Sequence, residues 1–147
     1  MISVNLGTKP RILLLIEPEK KKVLVGEMLA KSYDILLAEE GNTLARNWDL
    51  CVVCVKGLEK YGEQLLSLKE VEEGVFRPIL SIATNRQNLS IISDRFLKYI
   101  DEVIIEPVSE VELRLRVENL LRSRYLSLEL SECQKNWQQT EATLRES

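Results

Sequence analysis

The stretch "DEVIIEPVSEVELRLRVENLL", residues 101–121, changes character halfway along its length. Its first third, Asp101 to Glu106, is a short Val/Ile run closed by Pro107, the pattern of a buried strand. Beyond the proline, Leu113, Val117, Leu120 and Leu121 recur at spacings of three and four, which puts them on one face of a helix. The unit is therefore a strand, a tight turn and an amphipathic helix.

The same unit recurs upstream. Short apolar runs stand at "RILLLIE" (11–17), "YDILLAE" (33–39), "DLCVVCV" (49–55) and "PILSIAT" (78–84). Helical stripes separate them: Leu24, Val25, Met28 and Leu29; then Leu58, Tyr61, Leu65 and Leu68; then Leu89, Ile92 and Phe96. A short, poorly marked helix is expected around Thr43 to Arg46. Five alternations of strand and helix predict right-handed crossovers and a parallel sheet covered on both faces. The fold class is α/β, a doubly wound five-stranded sheet. Such sheets place their sites beyond the carboxyl ends of the strands. No glycine-rich phosphate loop follows the first run, which continues as "EPEKKK", so a nucleotide-binding reading fails.

Composition narrows the chemistry. A chain of 147 residues, 45% apolar and 29% charged, suits one soluble domain with a real core. The net charge of −3 gives no basic surface for nucleic acid. No apolar run is long enough for a membrane span and no signal peptide opens the chain, so neither membrane nor nucleic acid is an expected partner. Three cysteines do not make a disulfide framework, and a cytoplasmic location is expected. There is no histidine, which removes Ser-His-Asp and Cys-His catalysis and histidine-ligated zinc. The pair Cys51 and Cys54 has redox-motif spacing but lies within a strand, where an odd separation sends side chains to opposite faces. Cys51 is expected in the core and Cys54 in the cleft.

In order and spacing the chain resembles the receiver domain of two-component response regulators, the CheY-like, flavodoxin-like (βα)5 fold. The resemblance covers residues 11 to about 122. "DEVIIEPVSEVELRLRV" is similar to the family's D-D-Y-[LI]-x-K-P-F-[ST]-x-x-E-L-x-x-R-[VI] ending. "WDLCVVC" (48–54) resembles its P-D-L-[IV]-[LI]-[LM]-D strand, and "GEQLLSLK" the helix that follows. "RPILSIAT" is similar to T-P-[VI]-I-x-[LV]-[ST]-A. The resemblance implies an aspartate that accepts a phosphoryl group after the third strand and an acidic pair holding Mg²⁺ after the first. It also implies a hydroxyl and a lysine that read the phosphate after the fourth and fifth, and a cis bond before Pro107.

This chain departs from the pattern at those positions. The phosphoacceptor position falls on Cys54, the lysine on Glu106 before the retained Pro107, and the hydroxyl on Ala83, with Thr84 beside it. The acidic pair falls on Glu17 and Glu19, with Pro18 between them, an incomplete Mg²⁺ cradle. Like charges about 4 Å apart repel by roughly 1 kcal/mol in water and about 4 kcal/mol at an effective dielectric near 20, so Glu106 opposes a phosphate that a lysine would attract. The expectation is a degenerate pseudo-receiver with no catalytic residue, no metal and no cofactor, acting by protein–protein contact. The alternative is a small-ligand, cation or thiol-redox sensor built on the vacated acidic pocket and Cys54.

The last helix runs on without proline or glycine. Leu126, Leu130, Cys133, Trp137, Thr140 and Leu144 are spaced 4, 3, 4, 3, 4, a seven-residue seam. The expected organisation is a lead-in at 1–10, the receiver-like domain at 11–122 and a coiled-coil-like linker at 123–147. The linker would form a homodimer and lead to an output module missing from the chain. The partners expected are a PAS domain, a histidine kinase, a cyclase or another signalling protein.

Overall fold

The computed structural model describes residues 9–38, 44, 46–71 and 75–146, the side chains at 70, 71 and 138–146 excepted. Five strands form one parallel sheet: β1 (Arg11–Leu15), β2 (Asp34–Leu37), β3 (Leu50–Cys54), β4 (Ile79–Ala83) and β5 (Glu102–Ile105), ordered β2-β1-β3-β4-β5. Every expected strand is present. The helices are α1 (Glu19–Ala30), α2 (Val55–Val71), α3 (Arg86–Leu89), α4 (Asp94–Leu97) and α5 (Glu110–Glu146).

The three inner strands are buried on both sides because successive side chains point to opposite faces. Ile12, Leu14, Leu50, Val52, Leu80 and Ile82 meet α1 and α5 through Val25, Leu29, Leu113 and Val117. Leu13, Leu15, Cys51, Val53 and Ile79 meet α2 through Leu58, Tyr61 and Leu65 on the other face. Each such large apolar side chain contributes about 1.5–3 kcal/mol when fully buried.

Two helical expectations change. The stripe Leu89, Ile92 and Phe96 does not make one helix. α3 ends at Leu89 and α4 starts at Asp94, because short hydroxyls between them satisfy the backbone locally. Ser90 Oγ donates to Gln87 O (2.6 Å) and Ser93 Oγ accepts from Arg95 N–H (3.3 Å). On α1 the inward face is Val25 and Leu29, while Leu24 is exposed. The stretch expected to carry the short helix at Thr43 to Arg46 lies partly outside the described residues.

α5 spans 37 residues, about 55 Å at 1.5 Å per residue. It stays attached to the sheet beyond Arg122. Arg124 pairs with Asp49 (3.2 Å), Tyr125 packs on the core, and Ser127 Oγ accepts from Phe76 N–H (2.7 Å). No helix among the described residues is long and apolar enough to cross a membrane.

Candidate functional site at the strand carboxyl ends

β3 passes into α2 with no intervening loop: Cys54 ends the strand and Val55 begins the helix. Cys54 therefore occupies the helix N-cap, where a side-chain acceptor takes one of the unpaired N–H groups of the first turn. Its Sγ accepts from Gly57 N–H at 3.3 Å. Gly57 is required there. A Cβ at this residue would lie 2.6 Å from Leu15 O and 2.7 Å from Val53 Cγ2, so the first turn of α2 sits directly on the end of β1. Val55 and Leu58 are buried beside it. The first turn of α2 is thus packed on the ends of β1 and β3.

Cys51 and Cys54 do face opposite ways. Cys51 lies in the core layer under α2, where burial pushes its thiol pKa far up. Cys54 is half-buried, and both thiols are free, as is the exposed Cys133.

Glu106, beyond β5, is paired. Lys21 Nζ, in the first turn of α1, donates to both of its carboxylate oxygens at 2.9 Å. The "KKK" of residues 20–22 reads in sequence as a solvated helix start, and no local signal marks one lysine of the three as a partner for a residue 85 positions away. Only the packing of α1 and α5 on one face of the sheet brings Lys21 there. Glu106 N–H also donates to Ala83 O (2.9 Å), which ties the ends of β4 and β5 together.

The remaining expected site residues do not gather. Ala83 is buried, whereas Thr84 is exposed with its N–H on Asn88 Oδ1 (3.1 Å). Glu17 is exposed, and Glu19 pairs within α1 with Lys22 (2.6 Å). The Glu17–Pro18 and Glu106–Pro107 peptide bonds are cis. Among the described residues no group of three or more Cys, Asp or Glu side chains is arranged to hold a metal ion. Of the three carboxylates expected near a cation, Glu106 and Glu19 are thus each turned to a lysine, and Glu17 faces outward.

The other end of the sheet is also highly organised, and sequence reading passed over it. Asp49 and Asp101 precede β3 and β5. Asp49 Oδ2 accepts from Arg11 N–H (2.8 Å) and Asp101 Oδ2 from Ile79 N–H (2.8 Å), each bridging to the neighbouring strand. Each also holds a cation, Arg124 for Asp49 (3.2 Å) and Lys69 for Asp101 (2.6 Å). Both aspartates stand inside the quoted family-like motifs, which was the available signal.

The strand order β2-β1-β3-β4-β5 is the flavodoxin-like order, and known structures superpose on the chain. A CheY-like receiver domain protein from Methanospirillum hungatei superposes with a TM-score of 0.60 at 18% identity, over 80% of this chain and 98% of that one. The fold is that of a response-regulator receiver domain. A second solved structure, described as belonging to a novel family of redox sensors in the streptococci evolved from two-component response regulators, gives a TM-score of 0.61 at 20% identity. It covers 80% of this chain and 53% of that one. A fusion carrying a trimeric coiled-coil segment of yeast Spc42 aligns over 97% of this chain and 94% of that one, with a TM-score of 0.62 at 15% identity. No protein-family model and no curated protein matches the chain. At these identities the likeness is one of fold.

Proposed function

We propose that this receiver-fold chain is a signal-transduction module that works through protein–protein contact and dimerisation instead of accepting a phosphoryl group. The observation that carries this reading is the state of Cys54: the residue at the phosphoacceptor position caps α2, with the helix's first turn packed against β1 beside it. The paired Glu106 adds to it, since a carboxylate neutralised by Lys21 stands where a phosphate would need a free cation. α5 passes the state of the domain to its dimer partner and to whatever module it joins. The test is incubation with acetyl phosphate, or with beryllofluoride, and Mg²⁺. Intact mass and near-UV spectrum are expected to stay unchanged, and a stoichiometric phospho-adduct overturns the reading.

A thiol sensor centred on Cys54 is the second reading. It is favoured by the sulfur's partial exposure and by the streptococcal structure's description as a redox sensor. Thiol titration of the native chain against Cys54→Ser separates the two. A fast-reacting thiol lost in Cys54→Ser supports the sensor, and a silent Cys54 removes it.

A further inference from the structure

α5 carries a second apolar stripe on the side turned away from the sheet. Val111, Leu115, Leu126, Leu130 and Trp137 are 49–77% exposed, and Cys133 is exposed with them. At 100° per residue these six fall within an arc of about 100°, opposite the buried arc of Leu113, Val117 and Leu121. The stripe begins inside the folded domain and runs unbroken in direction into the tail.

Its period is not seven. Val111 to Leu115 is a step of four and Leu115 to Leu126 a step of eleven. Asn119 and Arg122, both exposed, fill that gap at steps of 4, 3 and 4. The whole series therefore reads 4, 4, 3 repeated, an eleven-residue period of about 3.67 residues per turn, which holds a stripe nearly straight along a helix. Extending the seven-residue seam backwards from Leu126 gives Ser123, Asn119, Arg116 and Glu112, the last two ion-paired to each other (3.2 Å). Arg116 is also held by Glu102 (2.7 Å), an arrangement that faces water and not a partner helix.

We infer that α5 pairs with α5 of a second copy of this chain, parallel and in register, along the eleven-residue stripe from Val111 to Trp137. The receiver domains then meet directly at the dimer axis. This deepens the dimerisation part of the reading above and rests on it. A second copy fits because a partner helix must share the eleven-residue period, and this chain supplies one. In parallel register each apolar layer meets its own kind and Asn119 meets its counterpart amide, the arrangement by which a polar layer fixes register. Arg122 meets its own counterpart in this register, each guanidinium paired within its helix to Glu118 at 3.7 Å. Antiparallel pairing sets Leu126 against Arg122 instead. The consequence is mechanical: a change felt at Val111, at the start of α5, reaches the tail through one continuous interface.

The full-length chain tests this. Sedimentation equilibrium at tens of micromolar is expected to show a dimer. Diamide, which takes two electrons and two protons from a thiol pair, is expected to link it through Cys133 but not in Cys133→Ser. In the Cys133→Ser background, Leu115→Cys is expected to link and Arg116→Cys to stay unlinked, while Leu115→Glu weakens dimerisation at least tenfold. Preferential linking of Arg116→Cys overturns the eleven-residue stripe. Linking at Cys133 alone, with Leu115→Glu silent, confines the dimer to the tail; that overturns this inference and leaves the functional reading standing. A dimer that never links at Cys133, or a trimer, overturns the parallel pair. A monomer removes the dimer from both.

Discussion

Arg77 is a charged residue buried to 3% exposure, and its surroundings explain why the fold keeps it. Its guanidinium lies 4.2 Å over the Trp48 ring, donates to Trp48 O (3.0 and 3.2 Å) and Leu68 O (3.1 Å), and also donates to Arg46 O. One side chain thus fastens the approach to β3 and the end of α2 to β4. Arg77→Ala takes the donors from the buried Trp48 carbonyl, worth about 1–3 kcal/mol when unsatisfied, and removes the stack on the Trp48 ring, so a loss of about 2–3 kcal/mol is expected in urea unfolding. Arg77→Lys is expected to recover less than half of that, because an ammonium lacks the planar fork. Gly57→Ala is expected to cost about 1–3 kcal/mol by pressing a methyl into Leu15 O and Val53. Tyr125 makes an alkaline prediction. Burial, helped by Asp49, raises its pKa to about 12, above the usual value near 10. Between pH 10 and 12 the folded state therefore binds more protons than the unfolded chain, and stability falls as pH rises. Tyr125→Phe removes that contribution and is expected to decline less steeply over the same range, Tyr33 supplying part of what remains through its own burial-raised pKa.

At the scale of elements, period was a reliable guide and connection was not. The five strands and the inward faces of α2 and α5 follow from which residues are apolar at spacings of two, three or four, and they stand where sequence reading put them. The break between α3 and α4 was hidden, because hydroxyls that bond their own backbone leave the apolar spacing intact. Gly62, an apparent weakness within α2, exists because a Cβ there would meet the Phe96 ring at 2.7 Å, a contact between α2 and α4 that no local pattern announces. The length of α5 that belongs to the domain is likewise a tertiary matter. Arg124, Tyr125 and Ser127 all touch the sheet side. A chain ending at residue 122 loses these contacts and is expected to unfold at markedly lower urea than one ending at residue 130, with a smaller deficit in full-length Arg124→Ala. Equal midpoints for the two truncations would show that the added turns contribute nothing.

For the whole molecule, the packing at the carboxyl ends of the strands limits what a single substitution at Cys54 can do. Cys54→Asp replaces the thiol but leaves α2 on the end of β1 and Glu106 held by Lys21. Acetyl phosphate with Mg²⁺ is expected to leave Cys54→Asp unmodified, and an acid-stable, base-labile adduct on that variant would show that the site is more open than its packing implies. The sequence by itself determined the alternation of strands and helices, the parallel sheet and the opposite facing of Cys51 and Cys54. Each of those depends only on side chains near one another along the chain, whose geometry is set by the 2.0 and 3.6 periods of strand and helix. The tertiary structure alone decided that Lys21 neutralises Glu106, that Asp49 and Asp101 clamp the other end of the sheet, and that the exposed apolar stripe of α5 begins at Val111. Those are relations between residues distant in sequence, or between a helix and the face the sheet leaves free, and they exist only once the layers have packed.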